Sequence, residues 1–148
     1  MADIRNCNIP DDLHYLVRSH TWARSEGDIV VLGLTDVAQN LAKKFIAYSP
    51  KKVGKAVEVG KTTATLESGK WVGPVPSPVA GEIVAINEAA QADPSIVNRE
   101  PYGGGWIVKV KPQDWDRDAA NLLTGQAALD EYARFLEEEG IECDPAGV

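Results

Sequence analysis

One lysine in this sequence stands where its side-chain amine could do chemistry. Lys70 follows Gly69 between two segments of high β-propensity, so the pair is predicted to form the tip of a β-hairpin. We expect a type II′ turn, because glycine adopts a positive φ there at little energetic cost. A primary amine held at such a tip could carry a covalently attached group to several active sites, although a lysine at a turn is more commonly a solubilising residue.

The other reactive side chains do not form a recognisable catalytic pattern. Serine, histidine and acid never occur together in a setting typical of a triad. His14 and His20 are the only histidines, and a histidine close to Trp22 is more typical of a structural position. Cys7 and Cys143 lack metal-ligand spacing, so they are either two inert thiols or a disulfide that ties the ends of the domain together. These features favour a carrier or binding protein over an enzyme.

The elements that would position Lys70 are short strands separated by turns. The run from Ile29 to Leu34 is typical of a buried strand, and Thr35 is placed to cap a short helix over 36–41. The segment from Thr62 to Ser68 has strong β-propensity and leads directly into Gly69 and Lys70.

Prolines dominate the segment that follows the lysine. Pro74, Pro76 and Pro78 cannot donate to a central ladder, so this segment is predicted to lie at a sheet edge or a crossover. Ala80 and Gly81 indicate a second turn, and 82–87 a further strand. Two antiparallel hairpins folding into a small sandwich would account for this pattern.

The C-terminal region is predicted to be helical. Leu129, Tyr132, Ala133 and Leu136 recur at helical spacing, and Gly140 would end the helix. This stripe is expected to pack on the sandwich. The predicted fold is therefore α+β and mostly β, with residues 1–148 forming a single domain.

Composition narrows the classes of partner. The net charge of −7 argues against nucleic-acid binding, which requires a dominant basic field. Six of the nine lysines fall within residues 43–61, a concentration that could steer association with acidic partner surfaces. The N-terminus lacks a secretory or transit pattern and no run is long enough to span a bilayer, so we expect a cytoplasmic, bacterial protein without membrane contact.

The residues around Lys70 resemble the lipoyl-attachment site of glycine-cleavage H proteins. In that family a glutamate typically lies three residues before the modified lysine and a glycine eleven after it, and Glu67 and Gly81 occupy these places. Further matches to family signatures lie at Gly33–Gln39, at Asn98–Trp106, and at His20 and Trp22. The resemblance implies a lipoyl-type barrel-sandwich hybrid with short flanking helices and a C-terminal helix, and lipoic acid covalently bound to Lys70.

Several positions depart from the glycine-cleavage pattern. Thr21 stands where the family has glutamate, and Gly69 and Trp71 flank the lysine where other residues are usual. Trp71 could shield the arm or anchor a partner, or it could be a core residue. The motif from Glu67 to Val75, which includes Gly73 and Pro74, resembles the lipoate-binding proteins associated with heterodisulfide-reductase-like sulfur-oxidising complexes.

This second resemblance implies a lipoyl carrier that shuttles sulfur-bound intermediates in cytoplasmic sulfur oxidation. Its partners would be a lipoate ligase or lipoyl transferase, a heterodisulfide-reductase-like complex and a dihydrolipoyl dehydrogenase-like protein, and the carrier itself is expected to be monomeric. The alternatives are a divergent glycine-cleavage H protein carrying an aminomethyl group, and a binding module without the cofactor. No catalytic or metal-binding residue is predicted. The expected cofactor-binding residues are Lys70, Glu67, Gly69, Trp71 and Gly81.

Overall fold

The computed structural model describes residues 2–144, and short strands dominate them. The strands are β1 (Ala2–Ile4), β2 (Cys7–Ile9), β3 (His14–Leu16), β4 (Thr21–Glu26), β5 (Ile29–Leu34), β6 (Phe45–Pro50), β7 (Ala56–Val57), β8 (Thr62–Ser68), β9 (Val72–Pro76), β10 (Gly81–Ile86), β11 (Val108–Pro112) and β12 (Leu123–Thr124). The helices are α1 (Asp36–Ala42), α2 (Glu88–Ala92), α3 (Ile96–Arg99), α4 (Trp115–Ala119) and α5 (Gly125–Glu139), with a 3₁₀ turn at Val17–Ser19. This content confirms the predicted α+β, mostly β class.

The strands pair in three antiparallel sheets. A seven-stranded sheet has the order β12-β3-β4-β5-β11-β10-β7, a three-stranded sheet has the order β6-β8-β9, and β1 pairs with β2. Apolar side chains from the two larger sheets share one core, which confirms the predicted sandwich. The core includes Val30, Leu32, Phe45, Leu66, Val75, Ile83 and Val110.

Strand β5 is buried on both faces, as its continuous apolar run predicts. Leu32 points into the core between the sheets, whereas Val31 packs in a second cluster beneath α5. The predicted stripe on α5 is confirmed at Tyr132 and Leu136, which are fully buried there. Ala133 is instead exposed, whereas Ala128, one turn before Tyr132, is fully buried.

Helix α1 begins where the sequence predicts. The Thr35 hydroxyl accepts a hydrogen bond from the Ala38 amide at 3.3 Å, which caps the helix. The helix ends at Lys43, whose φ of 69° is unusual for a residue with a side chain. Within residues 2–144, no helix is both long and apolar enough to cross a membrane.

The proline-rich strand confirms one prediction and corrects another. Strand β9 lies at the edge of its sheet, where the missing amides of Pro74 and Pro76 cost no ladder hydrogen bond. The second predicted hairpin is wrong, because β10 pairs with β7 and β11 in the other sheet. Residues 77–80 therefore cross between sheets, and Ser77 is held by its amide donating to the Lys61 carbonyl at 2.7 Å.

The lysine-rich segment does not form one continuous surface. Lys43 and Lys44 precede β6, at the end of the sheet that carries Lys70, because Phe45 pairs with Ser68. The other four lysines follow β6, across a strand about 20 Å long. They are Lys51, Lys52, Lys55 and Lys61, all exposed.

The two cysteines form a disulfide that joins the β1–β2 hairpin to the segment after α5. Cys7 is 0% and Cys143 2% exposed. The Cys143 amide donates to the Arg5 carbonyl at 3.0 Å, and Arg5 Nε donates to the Ile141 carbonyl at 2.7 Å. Of the two possibilities that the sequence left open, the structure has the covalent tether.

Removing this tether tests its contribution to stability. The disulfide closes a loop of 136 residues, so Cys143→Ser should lower the free energy of unfolding by roughly 2–5 kcal/mol. Urea unfolding of the variant measures the loss, with the Cys7→Ser/Cys143→Ser double variant as control. The double variant should have the same free energy of unfolding as the single variant. A free energy of unfolding that is unchanged in both variants would contradict a stabilising Cys7–Cys143 disulfide.

Candidate functional site

Lys70 lies at the exposed tip of the hairpin formed by β8 and β9, as predicted. The serine before the tip closes the turn. The Ser68 amide donates to the Trp71 carbonyl at 2.7 Å, and the Ser68 hydroxyl accepts from the Trp71 amide at 3.1 Å. These hydrogen bonds fix the backbone on both sides of Lys70.

The predicted role of Gly69 in this turn is wrong. Gly69 does not adopt a positive φ, so the turn is not the type II′ turn that the Gly-Lys pair suggested. The Ser68 side chain supplies the turn-stabilising hydrogen bonds, and a glycine in the left-handed region is not needed. A Cβ on Gly69 would meet no atom within 4 Å, so the space beside this residue is open.

An apolar cleft of about 240 Å³ opens beside Lys70. Its walls come from the turn before β4, from the end of β5, from α1, from the start of β6 and from the β8–β9 hairpin. The sequence did not indicate this cleft, because its residues come from five separate parts of the chain, and each by itself is typical of a core or a surface position. The lining residues are Ser19, His20, Leu34, Ala38, Leu41, Ala42, Phe45, Lys70, Trp71 and Pro74.

Trp71 forms one wall of this cleft. Its ring lies edge-on to Phe45, with centroids 6.4 Å apart, and it covers Gly73 so closely that a Cβ there would overlap the indole. The side chain is 39% exposed. The core interpretation of Trp71 is therefore wrong, and its apolar surface lies beside the lysine.

His20 reaches the opposite side of the cleft and is held by α5. Its ring centroid lies 5.9 Å from that of Tyr132 and 5.0 Å from that of Phe135, and Nδ1 is 3.3 Å from the Tyr132 hydroxyl. Burial lowers the pKa of His20 to about 4, so the imidazole is neutral near pH 7. This packing supports the structural interpretation of the histidine.

Glu67 and Gly81, two of the predicted site residues, do not line the cleft. Glu67 is exposed between Leu66 and Ser68, which are buried, so its carboxylate projects from the outer face of the sheet. Gly81 begins β10, beyond the end of β9 that is remote from Lys70. A Cβ on Gly81 would overlap the Lys111 carbonyl, so glycine permits the close pairing of β10 with β11.

The chain resembles known proteins over most of its length. Residues 14–139 match the family model described as glycine cleavage H-protein. The chain belongs to the glycine cleavage H-protein family. Members of this family carry lipoate covalently attached to a lysine, and they serve as carriers rather than as enzymes.

Relatives within the H-protein family match nearly the whole chain. Glycine cleavage system H protein 5 of Aquifex aeolicus is 44% identical over 147 residues, covering 97% of this chain and 99% of the relative. A probable glycine cleavage system H protein 2 of Sulfolobus acidocaldarius is 45% identical, covering 93% and 94%. The crystal structure of an H protein from Mycobacterium marinum has a TM-score of 0.72 at 29% identity, covering 90% of this chain and all of that one.

The signature segments of this H-protein chain meet in a hydrogen-bonded network behind the cleft. Asn98 Oδ1 accepts from the Phe45 amide at 2.9 Å, and Asn98 Nδ2 donates to the Lys43 carbonyl at 2.7 Å. Asn98 thereby holds the chain where α1 gives way to β6, which is one wall of the cleft. The Tyr102 hydroxyl accepts from the Asp36 amide at 2.8 Å and fixes the start of α1. In the sequence these residues are recognisable only as family markers, and nothing in their pattern predicts this role.

A pair of glycine variants tests the placement of Trp71 over the hairpin. In Gly73→Ala the new methyl group should push the indole outward, which raises its accessibility to acrylamide in fluorescence quenching. The cost in unfolding free energy should be about 1 kcal/mol, because a half-exposed ring can move. Gly69→Ala is the control, since its Cβ would meet nothing. Equal quenching in the two variants would contradict the packing of Trp71 on Gly73.

Proposed function

We propose that this chain is a lipoyl carrier whose arm is attached to Lys70. The observation that carries the proposal is the display of a lysine amine on a firmly closed hairpin tip directly beside an apolar cleft. Gly69 adds no side chain that would hinder a ligase reaching the amine. The site thus combines access for the attaching enzyme with a surface that can receive the attached group.

The residues present fit a lipoyl group. When bound, this group supplies a dithiolane that opens and closes by thiol–disulfide exchange. The cleft offers mostly aliphatic and aromatic walls to such an apolar ring. At about 240 Å³ it is smaller than most independent ligand pockets, which span roughly 300–1,000 Å³. We infer that the cleft takes the end of the chain's own arm, with Trp71 as its movable wall.

Acylation by a lipoate ligase tests the attachment site. In Lys70→Arg the charge is retained but no amine is available, so the ligase should add no lipoyl mass. Lys61→Arg is a matched control because Lys61 also follows a glycine in an exposed turn, at Gly60. We expect full modification of that control. Intact mass spectrometry reads both results, and lipoylation of the Lys70→Arg variant would refute the proposal.

The names of the relatives support an aminomethyl group from glycine as the cargo. The matched proteins of Aquifex aeolicus and Thermus thermophilus are named as glycine cleavage system H proteins. In this function the chain would work with lipoyl-attaching enzymes and with the enzymes of glycine cleavage. The retained network of Asp36, Asn98 and Tyr102 is compatible with this assignment.

A second candidate cargo is a sulfur-bound intermediate in cytoplasmic sulfur oxidation. The observation favouring it is the altered surround of the arm: Trp71 covers Gly73, Pro74 lines the cleft, and Thr21 is buried where the family has glutamate. The partners would then be a heterodisulfide-reductase-like complex and a dihydrolipoyl dehydrogenase-like protein. An arm that exchanges thiols for disulfides is chemically suited to sulfur transfer.

Reconstitution separates these cargoes. The lipoylated protein would be mixed with the glycine decarboxylase and assayed for exchange of labelled bicarbonate into glycine, beside an authentic H protein as positive control. If the arm carries an aminomethyl group from glycine, the exchange rate should be comparable to that of the control. A rate below about one hundredth of the control, equivalent to a barrier roughly 2.7 kcal/mol higher, would exclude glycine as the principal substrate.

A further inference from the structure

Among the residues that the structure describes, none that lines the cleft beside Lys70 carries a carboxylate. Among its lining residues the polar groups are the Ser19 hydroxyl, the His20 imidazole and the Lys70 amine. Acylation would turn the Lys70 amine into an uncharged amide, and the low pKa of His20 keeps its ring neutral. With an arm in place, the cleft wall would therefore carry no formal charge.

Three acidic side chains close to the cleft residues, either in the chain or in space, do not point into the cleft. Glu67 projects from the outer face of the hairpin. Asp36 is engaged on the far side of α1, where its carboxylate accepts from the Asn8 amide at 2.9 Å and from Gln39 Nε2 at 2.6 Å. Asp144 lies 3.8 Å from Lys43 Nζ, so it offsets a lysine at the rim. Each of these carboxylates thus has a position or partner outside the cleft.

The rim adds positive charge. Lys43 and Lys44 separate Ala42 from Phe45, two residues that line the cleft, and both lysine side chains are exposed. Because Lys43 is paired with Asp144, the positive charge at the entrance is that of Lys44. A cation moving from water into this cleft would lose hydration without gaining an opposite charge, and it would pass the like charge of Lys44 at the entrance. An uncharged or negatively charged group is not repelled by the positive charge at the entrance.

From this arrangement we propose that the cleft selects the charge of the cargo, accepting an arm that bears an uncharged or anionic group and excluding one that bears an ammonium. This inference rests on the proposed attachment of the arm to Lys70. It assigns the specificity to the wall residues Leu41, Ala42 and Phe45 and to the absence of a carboxylate among them. A protonated aminomethyl group belongs to the excluded class, whereas sulfur-bound groups without a cationic centre belong to the accepted class.

Three chemically loaded forms of the protein test this selection. The arm of the lipoylated protein is reduced, and its thiolates displace halide from iodoacetamide, iodoacetate or bromoethylamine, giving uncharged, anionic and cationic thioethers of similar size. Intact mass confirms that only the arm is alkylated and that Cys7 and Cys143 stay joined. Methyl and indole signals of Leu41, Ala42 and Trp71 in NMR spectra then report docking, with Lys70→Arg as the undocked reference.

The uncharged and anionic arms should shift these signals towards a docked state. The aminoethyl arm should leave them near the reference, with a docked-to-free ratio at least about tenfold lower. Docking of the aminoethyl arm equal to or stronger than that of the carbamidomethyl arm would overturn the inference.

A designed carboxylate provides the complementary test. Leu41 lines the cleft and is 39% exposed, so Leu41→Glu should be accommodated and should raise the docked-to-free ratio of the aminoethyl arm by about tenfold. Leu123→Glu is the matched control, since Leu123 is 36% exposed on β12 and does not line the cleft. An equal response of the two variants would show that cleft charge does not set the preference.

A titration in trans keeps this inference separate from the attachment site. Free dihydrolipoamide alkylated with the same three reagents is added to Lys70→Gln, which mimics the acylated lysine without needing a ligase. The same order of binding supports charge selection even if Lys70 proves not to be the lipoylated residue. Preferred binding of the aminoethyl compound would reject charge selection whatever the site of lipoylation.

Discussion

The side-chain amide of Asn98 is the constraint on which the site depends. Its oxygen accepts from the Phe45 amide and its nitrogen donates to the Lys43 carbonyl, so one side chain fixes the passage from α1 into β6. Lys43 there adopts a positive φ, a conformation that costs energy for a residue with a side chain. The network around Asn98 offsets that cost, and the cleft wall at Ala42 and Phe45 exists because the passage is held.

The fold places the exposed Lys70 amine and the apolar surface of the cleft next to each other but on separate elements. The β8–β9 hairpin projects Lys70 into solvent, and the prolines of β9 fit the free edge of a sheet that has no further strand. Beside Lys70, Trp71 and Phe45 line an apolar surface that a group attached to the amine could contact. A group carried on the arm could thus reach partner enzymes and return to a protected position without any rearrangement of the sandwich.

The parts of the fold that depend on local pattern could be predicted from the sequence. The buried run of β5, the cap at Thr35 and the edge position of the proline strand follow from propensity, side-chain hydrogen bonding and the missing proline amides. The placement of Lys70 at a hairpin tip followed in the same way. The resemblance of Glu67 and Gly81 to a lipoyl site rested on family pattern, and their structural positions differ: one is on an outer face and the other at a strand crossing.

Features that depend on long-range packing could not be predicted. The crossing from β9 to β10 and the apolar cleft arise from how the two sheets face each other, which no short window of sequence encodes. The disulfide joins residues 136 positions apart, so spacing alone left it open. The prediction of a positive φ at Gly69 was wrong. The Gly-Lys pair is typical of a type II′ turn, but here the turn is closed by a hydrogen bond to the Ser68 hydroxyl.

Peptide mass spectrometry of the protein purified from its source organism tests directly whether Lys70 carries a lipoyl group. The tryptic peptide spanning residues 62–99 should bear a lipoyl adduct, which fragmentation locates on Lys70. An unmodified Lys70 in the mature protein, or a lipoyl adduct on another lysine, would contradict this assignment.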